Sequence, residues 1–238
     1  MKTNKLKNIW TLIYKMIVYN LRIIFANKFI WFLAGSVIFY IGLSVIYVFA
    51  NDVSKMNDLY FVFLFSGGLL VFYPSVFGVQ NDQDARTIEI LFGIPNYRYK
   101  VWLVRIILIF IITFLIMLVF TFLSSMLIVK FRFVDVTAAV MVPVLFLGVM
   151  AFMLSTVIRS GNGTAVIMII FGMFFMILSD ALSKSQWNIF LNPYELPYDV
   201  NERTWAIIMV KNRIIMVTGS ILFLLVALFN LQKREKFM

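Results

Sequence analysis

The 238-residue chain contains no cysteine and no histidine. Without cysteine it has no disulfide, no thiolate nucleophile and no thiolate metal site. Redox compartment therefore leaves no mark on it. Without histidine it lacks the commonest metal ligand and the commonest general base near neutral pH. Both absences argue against zinc-dependent and serine–histidine intramembrane hydrolases. Charge is scarce too. Only 13% of residues are charged, where an ordinary soluble domain carries about a quarter. No Gly-x-x-x-x-Gly-Lys-Ser/Thr phosphate loop occurs, so the chain is not expected to bind or hydrolyse ATP unaided.

What is present is apolar. Hydrophobic residues make up 63% of the chain and the mean hydropathy is +0.96. Several runs reach the ~20 apolar residues that cross a bilayer, which points to an all-α integral membrane protein without a second domain. Six spans are expected, at about 29–50, 59–80, 101–129, 136–158, 164–183 and 212–231. The second carries Gly67, Gly68 and Pro74, and the fourth carries Pro143. The third is longer than the hydrocarbon requires, so it should tilt or emerge. The 26 phenylalanines follow from composition and mark no site. A path lined by Phe, Met and Ser would suit an amphiphile better than a sugar or an ion.

Residues 1–28 read as a cationic amphipathic segment rather than a cleavable signal. Leu6, Ile9, Trp10, Ile13, Met16 and Ile17 recur at helical spacing, with Asn4, Asn8, Thr11 and Lys15 opposite. Such a segment lies in the membrane interface; a plain charged flank that orients the first span is the other reading. With the N-terminus inside, 14 of the 21 Lys and Arg residues fall on the cytoplasmic side. This bias places both termini in the cytoplasm. The formal net charge of +10 is then the signature of cationic membrane flanks, not of nucleic-acid binding.

Between spans two and three lies a charged connection at 81–100. Asp82 and Asp84 precede a helical pattern of Ile88, Leu91 and Phe92, and acids favour a helix start. Gly93 and Pro95 should end that helix. Arg98 and Lys100 follow at the next span's entrance. On spacing alone, this is either a short cytoplasmic helix or a solvated loop with anchoring charges.

These residues resemble the type-2 permeases of ATP-binding-cassette (ABC) exporters. That family carries, after its second span, a stretch like Glu-x-Gly-Thr-x-Glu-x-Leu, then a Pro and a basic residue. Asp84, Thr87, Glu89, Leu91, Pro95 and Arg98 stand in that register, with Arg86 in place of the usual Gly and Asp84 in place of a usual Glu. The span count, the first 28 residues and the basic tail at 232–238 are similar as well. The resemblance implies a single permease domain over 1–238, in a bacterial cytoplasmic membrane. It implies a coupling surface of Asp84, Arg86, Thr87, Glu89, Leu91, Pro95 and Arg98, helped by Lys15 and Arg22. The turn at Arg159 would be a smaller second contact, or simply a tight turn. The implied partners are two copies of an ABC ATPase and a second permease chain, identical or sister. ATP and Mg would sit on the ATPase, with no cofactor or metal on this chain. The cargo would be a peptide toxin or bacteriocin, a drug, or a lipid-like compound.

Between spans five and six, Trp187, Asn192, Pro193 and Tyr194 lie in an outer segment at about 184–211. The resemblance implies a re-entrant or interfacial helix pair that shapes the substrate exit. An aromatic belt at the lipid–water boundary accounts for the same residues. Inside the spans ionisable groups are few, with Arg105, Lys211 and Arg213 read as snorkelling anchors. An ion-coupled secondary transporter or channel is the alternative function, but it needs polar sites near the midplane and usually internal repeats. A membrane enzyme would have to rely on Asp180, Glu195 and Asp199, with no histidine partner.

Overall fold

The computed structural model describes residues 18, 28–49, 56–84 and 98–232, with backbone alone at 98 and 100. The expected interfacial helix at 1–28, most of the 81–100 connection and the basic tail therefore lie outside the described residues, residue 18 apart. Among the described residues the protein is all-helical, without a strand. Six α-helices follow one another: α1 Phe29–Phe49, α2 Met56–Asp84, α3 Val104–Leu127, α4 Phe133–Ile158, α5 Gly161–Ile177 and α6 Glu202–Asn230. A π-helical segment, Arg98–Leu103, leads into α3. Five of the six are long and apolar enough to cross a membrane, and α5, at 17 residues, is the shorter apolar helix.

The boundaries depart from the sequence reading in three places. First, α2 runs on through Asp84, so Asp82 and Asp84 end a long helix rather than start a new one. Carboxylates at a helix C-terminus oppose its dipole. Here the polar end is held by partners on its own helix and on α3. Asn81 donates to the Tyr73 hydroxyl (3.0 Å) and Asp82 pairs with Arg105. Second, α5 stops at Ile177 and gives way to turns through 200, where a span to 183 was expected. Third, α6 begins at Glu202, ten residues earlier than residue 212. Asn201 caps it, its side chain accepting from the Thr204 N–H at 2.7 Å.

Helices α2 and α4 form the centre. They pack along each other, with α1, α3, α5 and α6 around them. Lipid tails are as apolar as leucine, so close backbone approach and internal hydrogen bonds hold such a bundle. Gly67 meets Val144 and Met117, Gly148 meets Phe110 and Val71, and Gly219 meets Phe146. Buried hydroxyls tie the helices midway. Ser36 Oγ donates to Ser66 O (3.0 Å), and Thr121 and Thr137 share a hydrogen bond of 2.7 Å. Tyr40 Oη donates to Phe120 O and bonds Ser124 Oγ, both at 2.9 Å. Its ring stacks on Phe120 with 4.3 Å between centroids.

Candidate functional site

Apart from hydroxyl groups, polar side chains inside the bundle gather at its two ends. At one end, α2 finishes, α3 and α5 begin, and α4 and α6 finish. Arg105, in the first turn of α3, donates from Nη1 to Asp82 Oδ2 at 2.8 Å. Both residues are buried, Arg105 at 4% and Asp82 at 5% exposure. The guanidinium carbon lies 4.7 Å from the centroid of the Trp102 ring, which itself leans on Phe152 of α4. Arg105 Nε and Nη2 are buried without a hydrogen-bond partner. The pair thus bridges the two helices that flank the 85–97 connection, with Trp102 over the guanidinium and Phe152 against that ring. Beside it, the Gly161 N–H donates to Gln80 Oε1, joining α5 to α2, and Asn230 Nδ2 reaches Thr156 Oγ1 at 3.5 Å.

The α4–α5 corner at this end is two residues long. Arg159 takes the left-handed conformation (φ 60°) and donates its N–H to Ser155 O at 3.0 Å. Ser160 then caps α5, its Oγ accepting from the Gly163 N–H at 3.2 Å. Gly161 must be a glycine because a Cβ there would run into the Phe77 ring and lie 2.7 Å from Gln80 Oε1. The Arg159 side chain faces outward.

At the opposite end, residues 178–201 fold as turns across the tops of α2 and α6. Three buried asparagines hold them. Asn192 Nδ2 donates to Asn57 O at 3.0 Å, and Asn192 Oδ1 accepts the Tyr194 N–H at 3.0 Å. Asn188 Oδ1 accepts the Phe190 N–H at 2.9 Å. Asn212 Nδ2 donates to Gln186 O and Asn188 O at 2.9 and 2.8 Å. Tyr60, fully buried, accepts from Arg213 Nη2 at 3.2 Å and meets the Tyr194 ring edge-on. Trp205 Nε1 points to Pro193 O at 3.5 Å. Burial raises the Tyr194 phenol pKa, with the neighbouring Tyr60 and Asp135 adding to the rise and Arg213 opposing it. Further out, Lys184 and Asp199 form an exposed pair. The Lys184 hydrogen bond, helped by a backbone N–H, holds the Asp199 carboxyl below its ordinary value.

Of the residues singled out from sequence, Asp84 is exposed at the last position of α2, with Gln80 Nε2 at 3.4 Å. Arg86, Thr87, Glu89, Leu91, Pro95, Lys15 and Arg22 lie outside the described residues, and Arg98 contributes backbone to the π-helical segment. In the outer segment, Asn192, Pro193 and Tyr194 come together with Tyr60, Trp205 and Asn212, whereas Trp187 is 61% exposed and stands apart. The helix pair contemplated there is absent from 178–200. Its second half is the beginning of α6, and its first half is turns, because the asparagine side chains satisfy the backbone locally. Arg105 does not snorkel, since it is buried and paired. A cation one turn inside an apolar run, with an acid at the close of the preceding run, was the available signal. Tyr60, Asn188 and Asn212 had no comparable signal, because their partners are backbone carbonyls or distant side chains.

No protein-family model matches the chain, and no curated protein or solved structure matches it.

Proposed function

We propose that the chain is the membrane-spanning permease subunit of an ABC exporter, coupling ATP hydrolysis by a separate ATPase to export of a hydrophobic or amphipathic substrate. In this reading α5 and the turns after it make a sixth crossing, and the Arg105 end of the bundle faces the cytoplasm. The segment 85–97 is the coupling helix that docks on the ATPase. Asp84, Arg86, Thr87, Glu89, Leu91, Pro95 and Arg98 supply the contact, and Lys15, Arg22 and Arg159 flank it. The segment held by Asn192, Pro193 and Tyr194 caps the far end of the path.

One observation carries the reading beyond resemblance. The two helices that bracket the connection are fastened at its base by the buried Asp82–Arg105 pair. A solvated loop has no need of such a fastening. A connection that receives force does, because displacement at the loop must reach α2, the central helix, instead of being absorbed by fraying ends. Apart from Lys211 and Arg213 of α6, the Asp, Glu, Lys and Arg residues of the described spans sit at helix ends, and none of them is buried at mid-span, which favours drive from outside over an ion carried through the membrane.

The test is purification of the chain in mild detergent from membranes of its own cells, followed by an ATPase assay. Activity should accompany the wild-type chain and be lost, or freed from transport, with Glu89→Arg. Undiminished, coupled activity in Glu89→Arg would overturn the assignment.

A further inference from the structure

The Arg105 guanidinium is under-bonded for a buried one. A guanidinium carries five N–H donors in a flat fork suited to gripping a carboxylate with two parallel bonds. Here it grips with one, while Nε and Nη2 are buried with no acceptor. Buried donors without partners mark either strain or a missing partner. Immediately before Arg105 the chain is π-helical over Arg98–Leu103. A π-helical turn holds one residue more than the α-helix that would replace it, and such turns recur at functional sites. Closing it to α would advance everything N-terminal by one residue, a rotation of about 100° and a rise of about 1.5 Å. A groove of about 410 Å³ lies between Tyr99 of the π-helical segment and Leu225, Val226, Leu228 and Phe229 near the end of α6.

We propose that the π-helical segment and Arg105 form a two-position hinge, whose second position is α-helical and gives the idle Nε and Nη2 of Arg105 their acceptor. The hinge rests on the permease reading for its purpose, since it would turn a push on 85–97 into rotation at the mouth of α3. Its existence can be tested on this chain alone. In the position seen here, one N–H holds Asp82 and the surplus residue is stored between 98 and 103. In the second position the surplus residue has passed toward the connection, the end of α2 has moved relative to α3, and the guanidinium is satisfied. Trp102 stays against the guanidinium face in both.

The experiment is amide hydrogen exchange on the full chain in lipid nanodiscs, without any ATPase. Amides at 98–103 should exchange at least about tenfold faster than those at 152–158, the last turns of α4 at the same end. Deleting Lys100 removes the surplus residue and should slow 98–103 to the level of 152–158. Arg105→Lys keeps the charge and the one bond to Asp82 but loses the fork that the second position uses, and should slow exchange at 98–103 toward that of 152–158 without changing 152–158. Wild-type exchange at 98–103 as slow as at 152–158 overturns the hinge, as does no response to either variant. If the deletion variant does not fold, Arg105→Lys decides alone. A failed hinge with Glu89→Arg still uncoupling leaves the permease reading intact. An intact hinge with Glu89→Arg silent overturns the permease reading only.

Discussion

Among the described ion pairs, the buried Asp82–Arg105 contact is the one most sensitive to losing a single partner. Removing one partner of a buried ion pair leaves an uncompensated charge and costs about 3–5 kcal/mol, whereas replacing both with apolar residues of similar size is often neutral. Asp82→Leu should therefore lower stability by about 3–5 kcal/mol in a detergent unfolding titration. Asp82→Leu with Arg105→Met should recover most of that loss. The exposed Lys184–Asp199 pair behaves differently. Its lowered carboxylate pKa adds stability that is present above the ordinary carboxylate value and is lost as pH falls through the lowered one. Solvent screening keeps that contribution small. Asp199→Asn should remove this acid-side dependence and leave stability near neutral pH almost unchanged, as followed by unfolding midpoints from neutral pH down through the carboxylate range. At this scale the sequence was only partly legible. Arg105 stood out as a cation within an apolar run, but spacing cannot say whether such a side chain reaches out to water or in to an acid 23 positions earlier. That choice is made by how α2 and α3 lie together, and it went inward.

Among the elements, the α4–α5 corner is the tightest joint. A methyl group at Gly161 would meet the Phe77 ring and Gln80 Oε1, and overpacking of this kind costs about 1–3 kcal/mol. Gly161→Ala should show that loss in thermal unfolding. Gly42→Ala, where nothing lies within 4 Å, should stay within about 0.5 kcal/mol of wild type. Among the described residues the long apolar helices were readable, because long apolar runs admit little else in a membrane. Helix ends were not. The end of α2 moved past Gln80 because Gln80, Asn81 and Asp82 each find a partner on their own or a neighbouring helix. The start of α6 moved back to Glu202 because the Asn201 cap, and Asn212 bonded to Gln186 O and Asn188 O, let a partly polar stretch stay helical. The turns at 178–200 replaced an expected helix for the same reason: their asparagines bond the backbone directly.

For the molecule as a whole, the arrangement separates a rigid centre from two polar ends. Helices α2 and α4 carry most of the burial, while α1 and α6 keep broad apolar faces outward. One end is clasped by asparagines and the Tyr60–Tyr194–Arg213 group. The other holds the buried Asp82–Arg105 pair beside a π-helical turn, with the Gly161–Gln80 and Asn230–Thr156 bonds near it. An asymmetry of this kind suits a gate worked from one side. The membrane class of the protein was legible from composition; the coupling role proposed for the register of Asp84, Thr87, Glu89, Leu91, Pro95 and Arg98 came from resemblance, and most of that register lies outside the described residues. The joint that would carry force from that segment into the bundle was legible only once α2 and α3 were seen side by side.

Because the chain has no cysteine of its own, a single thiol at residue 89 reports on one place alone. The most direct test of a partner-driven gate is therefore Glu89→Cys, loaded with a short thiol-anchored photo-cross-linker in membranes of the protein's own cells. The account predicts one dominant adduct, whose peptides come from a protein carrying a Gly-x-x-x-x-Gly-Lys-Ser/Thr phosphate loop. Adducts confined to lipid or to this chain itself would contradict it.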